Sequence, residues 1–158
     1  WGALPVMIFF FIMFIGGCAG STSCGIKIFR FQVLVSMSKA HFQKLLRPNG
    51  IFIPRYNGGP IDDSVTGSVL SYLFLFVVCF IVLALCLSIT GLDFVTAVSG
   101  AGTAMANVGP ALGPIIGPSG TFQELPDISK WLLTFGMLLG RLELFAVLVL
   151  FSPKFWTN

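Results

Sequence analysis

The sequence predicts an all-α integral membrane protein. Of its 158 residues, 56% are hydrophobic and 9% are charged, and the mean hydropathy is +0.95. Ordinary soluble domains carry about 25% charged residues, so this composition excludes that class. Residues 64–92 contain no charged residue and form the clearest membrane helix. At about 20 residues per span, the length allows about three spans and one shorter segment that enters the membrane and returns.

The N-terminal part predicts a broken membrane helix. Residues 3–15 are apolar, but they span only part of a bilayer at about 1.5 Å per residue. Residues 16–25 follow with four glycines and three hydroxyl residues, a composition that ends a helix. Apolar sequence resumes at 26–37. We interpret 16–25 as a flexible loop at membrane depth within one helix. An ordinary loop after a short span is the alternative, and it leaves 26–37 without an obvious place.

The chain then leaves the membrane and returns. Residues 36–47 become polar, which predicts a cytoplasmic extension. The Asn57-Gly58 pair lies between short apolar stretches of the connection 48–63 and predicts a small hairpin. Asp62, Asp63 and Ser64 are good helix starters, and the membrane helix 64–90 follows.

Residues 91–113 are too short and too rich in small side chains to cross a bilayer. Thr90 and Asp93 have the spacing of a helix N-terminus, which predicts a helix from Asp93 to about Met105. Gly109 and Pro110 end that helix. We interpret the segment as a pore helix and a filter loop that enters the membrane and returns. A tight turn outside the membrane is the alternative.

Such a loop would offer a cation two kinds of stabilisation. Non-helical backbone at membrane depth must be buried by protein or line water. Its carbonyl oxygens can replace the hydration shell of an ion, and the negative end of the helix dipole points to the same place.

The last part predicts an outer loop, 114–127, and a final membrane helix, 128–152. Six of the nine basic residues lie between Lys27 and Arg55, which places that segment and the C-terminus in the cytoplasm. Arg141 would lie near the middle of the final helix, where a charge costs at least ~2.5–3.5 kcal/mol, so it should face water or a partner. Glu143 points to a different face. Snorkelling to the inner surface is the alternative for both side chains.

Four stretches carry a resemblance to a known family. They are Gly-Gly-Cys-Ala-Gly-Ser-Thr-Ser-Cys-Gly-Ile-Lys at 16–27, Arg-Tyr-Asn-Gly at 55–58, Ala-Met-Ala-Asn-Val-Gly-Pro at 104–110, and Gly-Arg-Leu-Glu-Leu-Phe at 140–145. In this order they resemble the C-terminal part of the Trk/Ktr/HKT potassium transporter superfamily, most closely its bacterial TrkH type.

The resemblance implies four repeats, each a membrane helix, a pore loop and a second membrane helix. This chain would hold about one and a half of them. Residues 1–47 would be the second membrane helix of repeat three with its cytoplasmic extension, and 64–158 would be repeat four. The missing upstream repeats would complete the pore.

The resemblance also implies roles for individual residues. Asn107, Val108 and Gly109 would bind K⁺ as the filter of the fourth repeat. The loop would gate the path beneath the filter, together with Arg141; its gating residues are Gly16, Gly17, Gly20, Ser21, Thr22 and Gly25. Two residues, Cys24 and Ala111, depart from the family pattern, because each stands where glycine is usual. Cys24 should stiffen the loop.

The implied function is potassium uptake through a selectivity-filter pore in the bacterial inner membrane. No cofactor is expected in the chain beyond the transported K⁺, and K⁺ against Na⁺ preference or coupling to Na⁺ or H⁺ (symport) stays open. The implied partners are membrane lipid, a second copy in a homodimer and a cytoplasmic nucleotide-binding, TrkA-like regulatory subunit, for which 26–60 is a candidate contact. Nucleic acid is not expected at a net charge of +3.

Two classes of protein other than a transporter are considered. A non-conducting structural membrane subunit or truncated remnant is the alternative. An enzyme is not expected, because Gly100-x-Gly102 is an incomplete nucleotide-binding pattern with Met at 105, and neither a Ser/His/Asp set nor a carboxylate pair is visible.

Overall fold

The computed structural model describes residues 2–18, 24–113, 115–117 and 119–142. Over these residues the chain is mostly helical, with one short hairpin and a single 3-10 turn at Phe122–Glu124. The elements are α1 (Ala3–Ile12), α2 (Ile28–Leu46), β1 (Arg55–Tyr56), β2 (Gly59–Pro60), α3 (Asp63–Ile89), α4 (Phe94–Ala106) and α5 (Asp127–Arg141).

Helix α3 is the longest element, at 27 residues. Its N-terminus is capped by Asp62, whose carboxylate accepts the N–H of Asp63 at 2.9 Å and the hydroxyl of Ser64 at 2.6 Å. Within the described ranges, α3 alone has the length and apolar composition to cross a membrane. Helix α1 has 10 residues and the described part of α5 has 15. The predicted continuation of the last helix to 152 lies outside the described residues.

The described residues between α1 and α2, 13–18 and 24–27, are not helical, and these two short segments lie side by side. Ile15 and Ile26 form a parallel bridge. The N–H of Gly16 donates to the carbonyl of Ile26 at 3.0 Å, and the N–H of Ile26 donates to the carbonyl of Phe14 at 2.9 Å. Because this bridge is parallel, the chain runs in the same direction at Ile26, after the loop, as at Ile15, before it.

The predicted hairpin is formed by β1 and β2, which pair antiparallel. Asn57 and Gly58 form its turn with φ of 49° and 84°, the left-handed angles that a two-residue hairpin turn requires. The hairpin is fixed to α2 by the Ser36 hydroxyl, which donates to the carbonyl of Arg55 at 2.9 Å and accepts its N–H at 3.2 Å.

Helix α4 is the centre of the core. Ten of its 13 residues are buried, and they are mostly Ala, Gly, Ser and Thr. Small side chains allow the backbone of α4 to approach its neighbours closely. A Cβ on Gly100 would lie 3.0 Å from Ile116 and within 3.8 Å of Leu133 of α5 and Leu87 of α3.

The start of α4 differs from the prediction. Asp93 is the N-cap and accepts the N–H of Thr96 at 3.2 Å. Thr90 belongs to the end of α3, where its hydroxyl donates to the carbonyl of Leu87 at 2.6 Å. The Thr90–Asp93 spacing therefore does not form one cap, and the prediction was wrong: both the N–H and the hydroxyl of Thr90 donate to the Leu87 carbonyl at the end of α3. The buried Ser129 hydroxyl of α5 donates to Thr90 at 2.8 Å and joins α5 to this corner.

Helix α5 packs on α3 and α4 through its glycines. A Cβ on Gly136 would lie 2.5 Å from the Leu83 side chain of α3 and 3.3 Å from Ala104 of α4. A Cβ on Gly140 would overlap the carbonyl oxygen of Met105, a backbone atom at the end of α4. Gly136 and Gly140, which are four residues apart, thus form the contact face of α5.

This packing predicts opposite outcomes for two alanine substitutions. Gly140→Ala should lower the free energy of unfolding by about 1–3 kcal/mol, because the backbone of α4 must move. Gly67→Ala on α3 is the matched control: no atom lies within 4 Å of its Cβ position, so it should be neutral or stabilise by up to about 1 kcal/mol. Thermal unfolding of the two variants in detergent measures the difference, and equal melting temperatures would contradict the α4–α5 contact.

Candidate functional site

The predicted filter residues lie where α4 ends and the chain reverses. Asn107 caps the helix in the left-handed conformation, with φ 53° and ψ 43°, and its N–H donates to the carbonyl of Ala104 at 3.2 Å. Gly109 has φ +110°, an angle that only glycine adopts easily. Residues 101–106 are buried, whereas 107–110 are exposed in this chain. The buried helix therefore ends in four successive exposed residues.

The N–H groups of the turn are used by a single residue of α4. Val108 N–H donates to the Thr103 carbonyl at 3.1 Å, and Gly109 N–H donates to the Thr103 hydroxyl at 3.0 Å. Within the described part of the chain, no N–H or O–H donates to the carbonyl oxygens of 107–109. Thr103 thus holds the turn by accepting the N–H groups of Val108 and Gly109, and the carbonyl oxygens of the turn stay available.

Two more hydroxyl residues line the same face of α4 as Thr103. Thr96, Ser99 and Thr103 are 0%, 2% and 0% exposed, and their spacing of three and four residues places them on one helix face. The Ser99 hydroxyl contacts the carbonyl of Leu112, and Gly113 packs so closely that its Cβ would lie 2.9 Å from the Thr96 hydroxyl. Ser99 and Thr103 thus hold the returning chain 108–113 along α4 by hydrogen bonds, whereas Thr96 packs against it with a buried hydroxyl that has no partner among the described residues. This stripe was not predicted, although the spacing of its three hydroxyl residues is visible in the sequence.

The electrostatics of α4 favour a cation at the turn. The partial negative charge of the helix C-terminus lies at Ala106 and Asn107. The opposite end is capped by the Asp93 carboxylate, and hydrogen bonding from Thr96 lowers the pKa of that carboxyl below its ordinary value. Asp93 therefore stays ionised at neutral pH, where it stabilises the positive end of the dipole.

The side chain of Asn107 makes a further contact that was not predicted. Its amide nitrogen donates to the carbonyl of Met137 on α5 at 2.9 Å. Gly140 permits this approach, since a Cβ there would lie 3.0 Å from the same nitrogen.

Three of the predicted gating glycines, Gly16, Gly17 and Gly25, lie within the described residues. They are in or next to the paired segments 14–17 and 25–28, which we call the neck of the loop. The close approach of Gly16 to the carbonyl of Cys24 leaves no room for a Cβ, and Gly17 accepts the N–H of Ile28 at 3.2 Å. Gly25 has φ +83°. Gly20, Ser21 and Thr22 lie outside the described residues. The close pairing of the two segments therefore requires glycine at 16, for lack of space, and favours glycine at 25, for its backbone angle.

Arg141 ends α5 beside this neck. Its guanidinium donates to the Sγ of Cys24 at 3.7 Å. Glu143 lies outside the described residues. Residue 140 contacts the filter turn and residue 141 contacts the loop, so the last turn of α5 brings the two predicted sites together.

Comparison with known proteins identifies the family. The sequence profile of TrkH, described as a cation transport protein, matches residues 1–158. The chain belongs to the TrkH family. This confirms the predicted resemblance and agrees with the expectation of a transporter rather than an enzyme.

Similar TrkH-family proteins have been named in several bacteria. The chain is 53% identical over 156 residues to the Trk system potassium uptake protein TrkI of Halomonas elongata, covering 99% of this chain and 32% of that protein. It is 33% identical over 153 residues to the Trk system potassium uptake protein TrkH of Escherichia coli, covering 97% of this chain and 31% of the relative.

A solved TrkH-family structure has the same fold. The crystal structure of the potassium transporter TrkH from Vibrio parahaemolyticus matches with a TM-score of 0.87 and 32% identity, over 99% of this chain and 33% of that one. The chain thus spans about a third of the length of its relatives.

The Thr103 contacts predict a selective effect on the filter turn. Thr103→Val keeps the side-chain shape but removes the acceptor of Gly109 N–H, at a cost of about 1–3 kcal/mol for the donor left without a partner. Hydrogen exchange of peptides covering 107–113 should accelerate. Thr103→Ser keeps the hydroxyl and should retain slow exchange. Equal exchange in both variants would show that Thr103 does not hold the turn.

Proposed function

We propose that this chain forms part of the ion pathway of a bacterial potassium uptake protein. The carrying observation is the turn at 107–110, where α4 ends, Thr103 takes the backbone N–H groups, and successive carbonyl oxygens are left available. Carbonyl oxygens in this arrangement can replace the water around K⁺. Family membership and relatives named as potassium uptake proteins support this reading.

The proposed division of the chain follows the family repeat. Helices α3 and α5 would be the two membrane helices of repeat four, with α4 as its pore helix and 107–109 as its filter. Helices α1 and α2 would be the halves of one broken membrane helix from repeat three. The exposed apolar side chains of α3, among them Phe74 and Leu85, would face lipid or the rest of the transporter.

The pore would need further repeats of the same protein. The chain holds one filter turn among its described residues and spans about a third of its relatives, so the remaining filter segments would come from the other repeats. We propose an inner-membrane location with the C-terminus in the cytoplasm, assembly as a homodimer, and a nucleotide-binding regulatory subunit at the basic segment 26–60. The concentration of Lys and Arg in that segment supports its cytoplasmic side.

The proposed gate is the loop 16–25, held closed by Arg141. Its guanidinium reaches Cys24 at the neck of the loop, and a fixed positive charge there would repel a passing cation. Contact and repulsion act in the same direction, so both would keep the path shut.

A substitution at Gly109 tests the filter assignment. In the full-length transporter, Gly109→Ala should lower the ratio of K⁺ to Na⁺ flux, because alanine disfavours φ +110° and the carbonyls must turn. Gly91→Ala is the matched control: Gly91 has φ +90° and equally open space, but lies in the connection between α3 and α4. Flux in proteoliposomes measures both variants. A Gly109→Ala ratio equal to that of Gly91→Ala would refute the assignment.

A substitution at Arg141 tests the gate. Arg141→Ala should raise rubidium uptake per transporter molecule several-fold, because the loop loses both a contact and a repelling charge. Lys130→Ala is the control, since Lys130 is on the same helix and pairs with Asp127 at 3.1 Å near the N-terminus of α5. Uptake is normalised to membrane protein level. A rate at or below wild type would favour an anchoring role for Arg141.

A further inference from the structure

The amide of Asn107 bonds to a carbonyl that the last turn of α5 already uses. In an α-helix the carbonyl of residue i accepts the N–H of residue i+4, so the Met137 carbonyl also serves the N–H of Arg141. The Asn107 amide nitrogen lies 2.9 Å from that oxygen. One carbonyl therefore receives a bond from the filter turn and a bond from the residue that contacts the loop.

The backbone at Asn107 does not by itself require asparagine. Its left-handed conformation, φ 53° and ψ 43°, is open to glycine at least as readily. What glycine cannot supply is the side-chain donor that spans from α4 to α5. The close contact of Gly140 with the Met105 carbonyl and with the Asn107 amide brings the two helices near enough for that donor to reach.

A connected set of contacts results, from the filter to the loop. It runs from the Asn107 backbone through its amide to Met137, along one helical turn to Arg141, and from the guanidinium to Cys24 at 3.7 Å. A shift of the last turn of α5 must stretch the Asn107 bond or turn the residue that carries the filter carbonyls.

We propose that the Asn107 side chain is a positioning residue that couples the filter turn to the segment of α5 carrying Arg141. The inference rests on the proposed function, because it assigns the filter to 107–109 and the gate to Arg141. It adds that the two are linked through a hydrogen bond, so that a shift of the last turn of α5 alters ion discrimination at the filter.

The test uses the full-length transporter in proteoliposomes. Asn107→Asp keeps the size of the side chain and replaces its donor by an acceptor, and Asn107→Gly keeps the left-handed backbone without a donor. Both should lower the ratio of K⁺ to Na⁺ flux by about fivefold or more, the lower end of common coupling strengths. Asn57→Asp is the control, since Asn57 is also left-handed, with φ 49°, but lies in the hairpin turn.

A double substitution separates coupling from simple support of the fold. If the bond transmits the state of Arg141, the fold-increase in rubidium uptake caused by Arg141→Ala should be smaller in the Asn107→Gly background than in wild type. If Asn107→Gly only reduced the amount of folded protein, Arg141→Ala would cause the same fold-increase in both backgrounds once uptake is normalised to the amount of folded transporter.

The outcomes also distinguish this inference from the proposed function. Wild-type flux ratios in both Asn107 variants, or an Arg141→Ala effect of equal size in both backgrounds, would overturn the coupling while Gly109→Ala still changed the ratio. Unchanged ratios in the Gly109 variant as well would overturn the filter assignment itself.

Discussion

The structure depends on how a chain that reverses direction beside a helix satisfies its own backbone donors. After α4 ends, Val108 and Gly109 cannot continue the helical hydrogen bonds, and an N–H left without a partner costs about 1–3 kcal/mol. Thr103 removes that cost with one carbonyl and one hydroxyl. Because the donors bond to α4, the carbonyl oxygens of the turn are left available, as the proposed filter requires. The arrangement of the turn thus follows from how its backbone N–H groups are hydrogen-bonded rather than from any charged side chain.

The small residues of α4 serve the same arrangement. Its buried face of Ala and Gly allows close contact with leucine side chains of α3 and α5 and with the backbone of α5 at Gly140. Ser129 and Thr90 fix α5 at one end, and Gly140 against Met105 fixes it at the other. These contacts hold α4 at both ends and so limit the positional freedom of its C-terminal turn, which the proposed filter would use to coordinate an ion.

Local signals in the sequence predicted the elements well, and contacts between distant residues were not predictable from it. The Asn57-Gly58 turn, the helix starting at Asp63 and the end of α4 near Asn107 follow from turn chemistry, capping and helix-breaking residues. Thr90 was misassigned because the end of α3 lies next to the start of α4 in the sequence, and its hydroxyl bonds to Leu87 of α3 and Ser129 of α5. The Asn107–Met137 bond and the Arg141–Cys24 contact span 30 and 117 residues, and no local pattern encodes such distances.

The parallel pairing at Ile15 and Ile26 has a consequence for how this family region can vary. Gly16, Gly17, Ile26 and Ile28 join the two sides of the neck by hydrogen bonds, so the distance from the end of α1 to the start of α2 is set at the neck. Substitutions elsewhere in α1 or α2 that keep these hydrogen bonds would therefore leave the two helices in the same register relative to each other.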